Sequence, residues 1–182
     1  DTTVYAKWIE KTDLGFTDVA DSSPFRAAIG WAVKEGITNG TSATTFSPGN
    51  TCTTAQILTF LWRANGSPNS NAACPASDVA ETSPFYKALC WAYEKDLMAK
   101  GSGSTPCTRA AAVTYLWKLA GSPKMSVNSS FTDVPASADF AQAVAWAVEQ
   151  GVTNGVSASE FAPDSTCTRG QIVTFLYRNL LD

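Results

Sequence analysis

The stretch Phe16-Thr17-Asp18-Val19, followed by Trp31, Gly36-Ile37-Thr38-Asn39-Gly40, Phe46-Ser47-Pro48 and Cys52-Thr53, occurs twice in this chain. It returns at Phe131-Thr132-Asp133-Val134, Trp146, Gly151-Val152-Thr153-Asn154-Gly155, Phe161-Ala162-Pro163 and Cys167-Thr168. Residues 16–63 align with 131–178 without a gap and share 27 identities over 48 positions. Self-similarity of this kind decides the architecture before any single residue does. Between the two copies, residues 76–118 follow the same plan through Asp78-Val79, Trp91 and Cys107-Thr108, with five residues missing from the middle. The chain therefore divides into repeats at 16–68, 76–123 (with a shortened loop) and 131–182. The connecting segments are rich in Gly, Pro, Ser and Asn, as linkers are.

Each repeat reads as helix, loop, helix. Ser23-Pro24 places an N-cap before a proline at the first helical position. Phe25, Ala28, Ile29, Ala32 and Val33 then form one apolar face, and Gly36 ends the helix. Phe140, Ala143, Val144, Ala147, Val148 and Gly151 repeat that pattern. A second helix starts at Thr53 with Ile57, Leu58, Phe60 and Leu61 on its apolar side. The loop between the helices is long. Its Asn-Gly pair predicts a tight turn with positive φ at both residues, and Phe46 and Phe161 predict that the loop folds back onto its own module. A unit of about 50 residues cannot bury its apolar face alone, so the expected fold is all-α, with three repeats sharing one pseudo-threefold body. Residues 1–15 lie outside the repeat, and Val4, Tyr5, Trp8 and Ile9 suit a short helix packed on it.

Composition narrows the function. The net charge is -3 and the 13 basic residues are scattered, which argues against nucleic acid as a partner. Charged residues are only 16% of the chain, and the neutral polar remainder suits a secreted or surface protein. No apolar run approaches the roughly 20 residues that span a bilayer, so no membrane insertion is expected. The absence of histidine removes Ser-His-Asp and Cys-His catalysis and the commonest metal ligand. No Asp/Glu pair recurs in a loop as a glycoside-cleaving pair would. No enzyme, metal or cofactor is expected. Beginning at Asp1, the chain reads as a processed or trimmed fragment, monomeric by itself.

The start of each second helix carries the binding chemistry. Thr168-Arg169-Gly170-Gln171 and Thr53-Thr54-Ala55-Gln56 fit the capping box, whereas Thr108-Arg109-Ala110-Ala111 keeps only the cap. Arg109 and Arg169 place a cation at a helix end that already bears partial positive charge, a cost of a few tenths to about 1 kcal/mol. One reading is that an external anion compensates, held by guanidinium and backbone N–H groups. The other pairs each arginine with a neighbour's carboxylate, among Asp18, Asp78 and Asp133. Trp31, Trp91 and Trp146, mid-helix, read first as core and second as platforms for sugar rings. Asp18 and Asp133 read as caps or turns ahead of the first helix, with a sugar contact as the lesser role. Cys52, Cys107 and Cys167 share one slot and read as small buried residues. No disulfide is assigned to the five cysteines.

Taken together, Phe-x-Asp-Val, the tryptophan helix, Gly-Ile-Thr-Asn-Gly, Phe-x-Pro and Thr-Arg-x-Gln resemble the S-layer homology (SLH) domain family over residues 16–180. That resemblance implies a three-pronged spindle of three modules. It also implies non-covalent anchoring of a bacterial surface protein to cell-wall polysaccharide, an anionic and often pyruvylated glycan, outside the cell. By position it assigns glycan contact to Arg169 and Arg109, with Thr168, Thr108, Gln171, Asp18, Asp133, Trp31 and Trp146 around them. Thr54 departs from the pattern, as do Ala111 and the lost Phe-x-Pro of repeat two. These departures favour the alternative, a structural or protein-interaction module that has lost glycan binding.

Overall fold

Helices alternate with long, well-anchored loops in the computed structural model, which describes residues 14–127 and 130–180. The helices are α1 (Arg26–Lys34), α2 (Thr54–Ala64), α3 (Tyr86–Glu94), α4 (Arg109–Leu119), α5 (Ala141–Glu149) and α6 (Arg169–Leu180). Among the described residues there is no strand, only isolated bridges such as Thr53–Pro106 and Thr108–Thr166. The all-α expectation holds. The helix expected in residues 1–15 lies almost wholly outside the described residues, although Leu14 packs on the core.

The first helices of repeats one and two start two residues later than their Ser-Pro signals suggest. Ser23 closes a turn instead: its carbonyl accepts from Arg26 N–H at 3.1 Å and its hydroxyl from Phe25 N–H at 3.3 Å. Ser83 does the same for Tyr86 and Phe85. Ala28, Ile29 and Ala32 are buried as the periodicity requires, but Val148, at the end of the matching face of α5, is exposed. Gly36 and Gly151 adopt φ of 69° and 68°. The next N–H of each then reaches back to Ala32 or Ala147 at 2.8 Å, the Schellman closure. Arg63, Arg178 and Lys118, from the last turn of each second helix, donate to carbonyls just past the first helix of the same repeat: Ile37, Val152 and Asp96. The second helices begin as expected. Thr53 and Gln56 make both halves of the capping box, as do Thr168 and Gln171, whereas Thr108 caps Ala111 alone.

The helices pack between repeats. α2 lies on α3, α4 on α5, and α6 returns to α1. The backbone follows the same cycle. Cys107 N–H donates to Cys52 O, Cys167 N–H to Cys107 O, and Cys52 N–H to Cys167 O, at 2.8–2.9 Å. The first two N–H groups of each second helix, unpaired within the helix itself, are received by the neighbouring loop. Thr54 and Ala55 donate to Thr105 and Gly103, Arg109 and Ala110 to Ser165 and Pro163, and Arg169 and Gly170 to Asn50 and Pro48. Because the last set of contacts reaches the first repeat, the three modules close on one another. The apolar faces that a lone module would expose are buried by this closure.

The loops are held by carboxylates. Asp18 accepts from Phe46 and Ser47 N–H at 2.8 and 2.7 Å, and Asp133 from Phe161 and Ala162 at 2.9 and 2.7 Å. These aspartates brace the long loop and not the first helix, contrary to the sequence reading. They hold Ser47 and Ala162 in left-handed conformations, φ 59° and 58°, and turn the phenylalanines inward until both are wholly buried. The Asn-Gly reading also needs correction, since only the glycine has positive φ, 87° at Gly40 and 83° at Gly155. The reason is close approach. A Cβ on Gly155 would stand 2.6 Å from Glu160 O and 2.6 Å from the Phe131 ring.

Candidate functional site at the module junctions

The capped end of each second helix is pressed against the next module's loop, so every predicted site residue lies at or beside a junction. Arg169 is 4% exposed. Its Nε donates to Phe46 O at 3.0 Å, and its guanidinium lies over the rings of Phe46 and Phe60, 4.8 and 5.4 Å from their centroids. Arg109 is equally buried, donating to Phe161 O at 2.8 Å and lying over Phe161 and Phe175 at 4.9 and 5.6 Å. Cation–π attraction of this kind is worth about 0.5–2 kcal/mol.

The two arginines differ in one respect. Arg109 Nη2 reaches the Thr153 hydroxyl at 3.4 Å, whereas Arg169 Nη2 is buried without a hydrogen-bond partner. The ion pairs found among the described residues, Arg26–Asp21 and Lys118–Asp96, involve neither. Asp18 is near enough to Arg169, and Asp133 to Arg109, to act through space, but both spend their oxygens on loop N–H groups. Burial pulls both guanidinium pKa values below the ordinary range, partly opposed by charge from Cys52 and Asp18 at Arg169 and from Cys167 and Asp133 at Arg109.

The remaining predicted residues fall into three groups. Thr168, Gln171 and Thr108 are occupied as caps. Trp146 is buried, while Trp31 is partly exposed, edge-on to Tyr177 across the α1–α6 contact. Asp18 is exposed and Asp133 half-buried on their loops. Cys52, Cys107 and Cys167 are buried at the centre of the cycle, as their shared slot suggests.

Clefts lie along the same junctions, where the family resemblance implies grooves, but neither Arg109 nor Arg169 is among the residues that line these three. One of about 430 Å³ runs between the end of α2 and the α3–α4 module, lined by Asn65, Asn69, Trp91, Glu94, Lys95 and Lys118. A second, about 470 Å³, opens between α4 and the start of α5 and presents Tyr115, Trp117, Lys118, Asp139 and Phe140. A third, about 390 Å³, joins Trp31, Glu35 and Arg63 to Leu180. The recurrence of a basic residue at 63, 118 and 178 was visible in the sequence. That Arg63 and Lys118 would line clefts beside Trp31 and Trp91 was not. Aromatic faces beside cations and amides are chemistry suited to an anionic sugar.

Comparison with known families places the S-layer homology domain on residues 15–57 and 130–173. No curated protein matches the chain.

Proposed function

The chain belongs to the S-layer homology domain family through its two outer modules, and on that premise we propose that the module junctions bind an anionic cell-wall polysaccharide and hold the parent protein at the bacterial surface. S-layer homology domains are in general non-catalytic anchoring modules for secondary cell-wall polymers. Residues 76–123 are taken as a diverged third copy, a reading supported by the equivalent contacts of Asp78, Cys107 and Thr108.

The observation that carries the proposal is the partnerless Nη2 of Arg169. A buried cation with no carboxylate in ion-pair contact is costly, and an anion entering the junction between modules three and one lowers that cost. Arg109 supplies the same charge at the junction of modules two and three. Thr168, Thr108, Gln171, Asp18 and Asp133 shape these junctions, with Trp31 as the candidate stacking ring; Trp146, expected as a second, is buried in the core and offers no face to a sugar.

Arg169→Gln keeps a polar group under the loop and removes the charge. The variant should retain its helical circular dichroism and lose at least tenfold in capture by purified wall polysaccharide, while wild-type capture weakens with added salt. Unchanged capture by a folded Arg169→Gln variant would discard the site.

One observation favours a second reading. Both guanidinium groups are 4% exposed and already stacked on phenylalanine, which suits arginines that lock modules together. A chain that binds no wall extract, and whose Arg169→Gln variant loses stability alone, is a structural module.

A further inference from the structure

Cys74 and Cys90 belong only to the middle module, and neither occupies the shared cysteine slot. Cys90 lies on α3, 4% exposed, and Cys74 ends the linker from module one, half-buried. The linker is fixed there by the backbone. Ala76 bridges Gly101, and Gly101 N–H donates to Pro75 O at 3.3 Å. The Cys74 and Cys90 thiols are near enough to act on each other, Tyr86 lies beside both residues, and Cys74 Sγ donates to Ala76 O at 3.9 Å. Both are present as thiols.

We infer that Cys74 and Cys90 form a reversible disulfide that clamps the linker onto α3. The more exposed Cys74, as thiolate, attacks a small disulfide oxidant. One thiol of the oxidant leaves and a mixed disulfide forms. Cys90 loses its proton and attacks Cys74 Sγ, the second oxidant thiol leaves, and the sulfurs close to about 2.0 Å. Two cysteine thiols are thereby oxidised and one oxidant disulfide is reduced to two thiols. Cys52, Cys107 and Cys167 take no part, since each thiol faces the following threonine carbonyl or the interior of the cycle. The pairing rests on the placement of the two thiols beside each other on an anchored linker and α3, and only the oxidising surroundings rest on the surface location proposed above. The clamp also has a structural reason. The middle module's shortened loop lacks the buried phenylalanine that anchors the other two.

The test incubates the whole chain with oxidised glutathione at neutral pH, unfolds it in guanidinium with an alkylating reagent and no reductant, and weighs it. Three alkyl groups are expected, with a proteolytic peptide pair joining Cys74 to Cys90. Reductant should lower the wild-type melting temperature by roughly 5 to 15 °C and leave the Cys74→Ser/Cys90→Ser variant unmoved. Cys90→Ser should stop at a stable glutathione adduct on Cys74. Five alkylated cysteines, or Cys74 joined at the end point to glutathione or a second chain in the wild type, would overturn the pairing. A bond that forms without changing the melting temperature overturns the clamp. Polysaccharide capture plays no part in these readouts, so failure here is distinct from failure of the wall-binding reading.

Discussion

Thr54 and Thr105 meet across one junction in the places that arginine and the phenylalanine loop hold at the other two. Thr54 N–H and hydroxyl both donate to Thr105 O, at 2.8 and 3.1 Å, and Ala55 N–H donates to Gly103 O at 2.9 Å. Gly103 also gives its own N–H to Asp78 at 2.8 Å. One residue thus combines the Asp-bound N–H of Phe46 with the helix-receiving carbonyl of Pro48. A Cβ on Gly103 would stand 2.8 Å from Val79 and 3.3 Å from Leu89, so apolar residues already fill the space. The missing arginine of module one and the shortened loop of module two are therefore one change. Where no phenylalanine ring is offered, no guanidinium is placed over it.

That relationship predicts an energetic coupling between Arg109 and Phe161. In a double-mutant cycle of Arg109→Met and Phe161→Leu, measured by denaturant unfolding, the two losses should be non-additive by about 0.5–2 kcal/mol. Strict additivity would show that the ring and the guanidinium are neighbours without mutual stabilisation.

Acid should loosen the loops. Hydroxyls of Ser102 and Ser104, then the N–H groups of Gly103 and Ser104, hold the Asp78 carboxyl well below its ordinary 3.8. Burial opposes ionisation of Asp18 and Asp133, but loop N–H groups and the arginines outweigh it and keep both lowered. A carboxylate whose folded pKa is depressed contributes stability above its unfolded pKa and loses it as pH falls through the folded value. The melting temperature should therefore drop below about pH 4, and Asp133→Asn should flatten part of that fall. An acid limb unchanged in the variant would refute the assignment.

Thiol reagents should distinguish two classes of cysteine. Burial pushes the Cys52 thiol up to about 12, with Arg169 opposing and Cys167 adding to the rise, and pushes Cys167 up to about 11 against the pull of Arg109. Cys107 is raised by burial and by both of those cysteines. In the folded, reduced protein at pH 8, a disulfide reagent should leave these three unmodified for as long as the fold persists. Rapid native labelling of any of them, located by peptide mass, would contradict the closed cycle.

Gly155→Ala should cost about 2 kcal/mol or more, because it adds a side chain to a left-handed backbone already crowded by Glu160 O and Phe131. Gly101→Ala meets nothing within 4 Å and should be close to neutral. Comparable losses for the two, by chemical denaturation, would show that close packing at Gly155 is not what requires glycine.

The repeat, the helices, the capping boxes and the buried loop phenylalanines were legible because they are local. Periodicity, cap chemistry and turn residues act over one or two helical turns, and a duplicated pattern announces itself along the chain. What the arginines touch was not legible. Arg169 meets Phe46 across more than a hundred residues, and its surroundings exist only once module three closes onto module one. The same holds for Asp18, which reads as a helix cap by proximity and braces a distant loop in space, and for the junction cleft that brings Leu180 beside Trp31 and Arg63. Helix ends leave N–H groups and charge unsatisfied in a way any sequence reveals. Which partner satisfies them depends on how whole modules pack, and that is decided by the shared core.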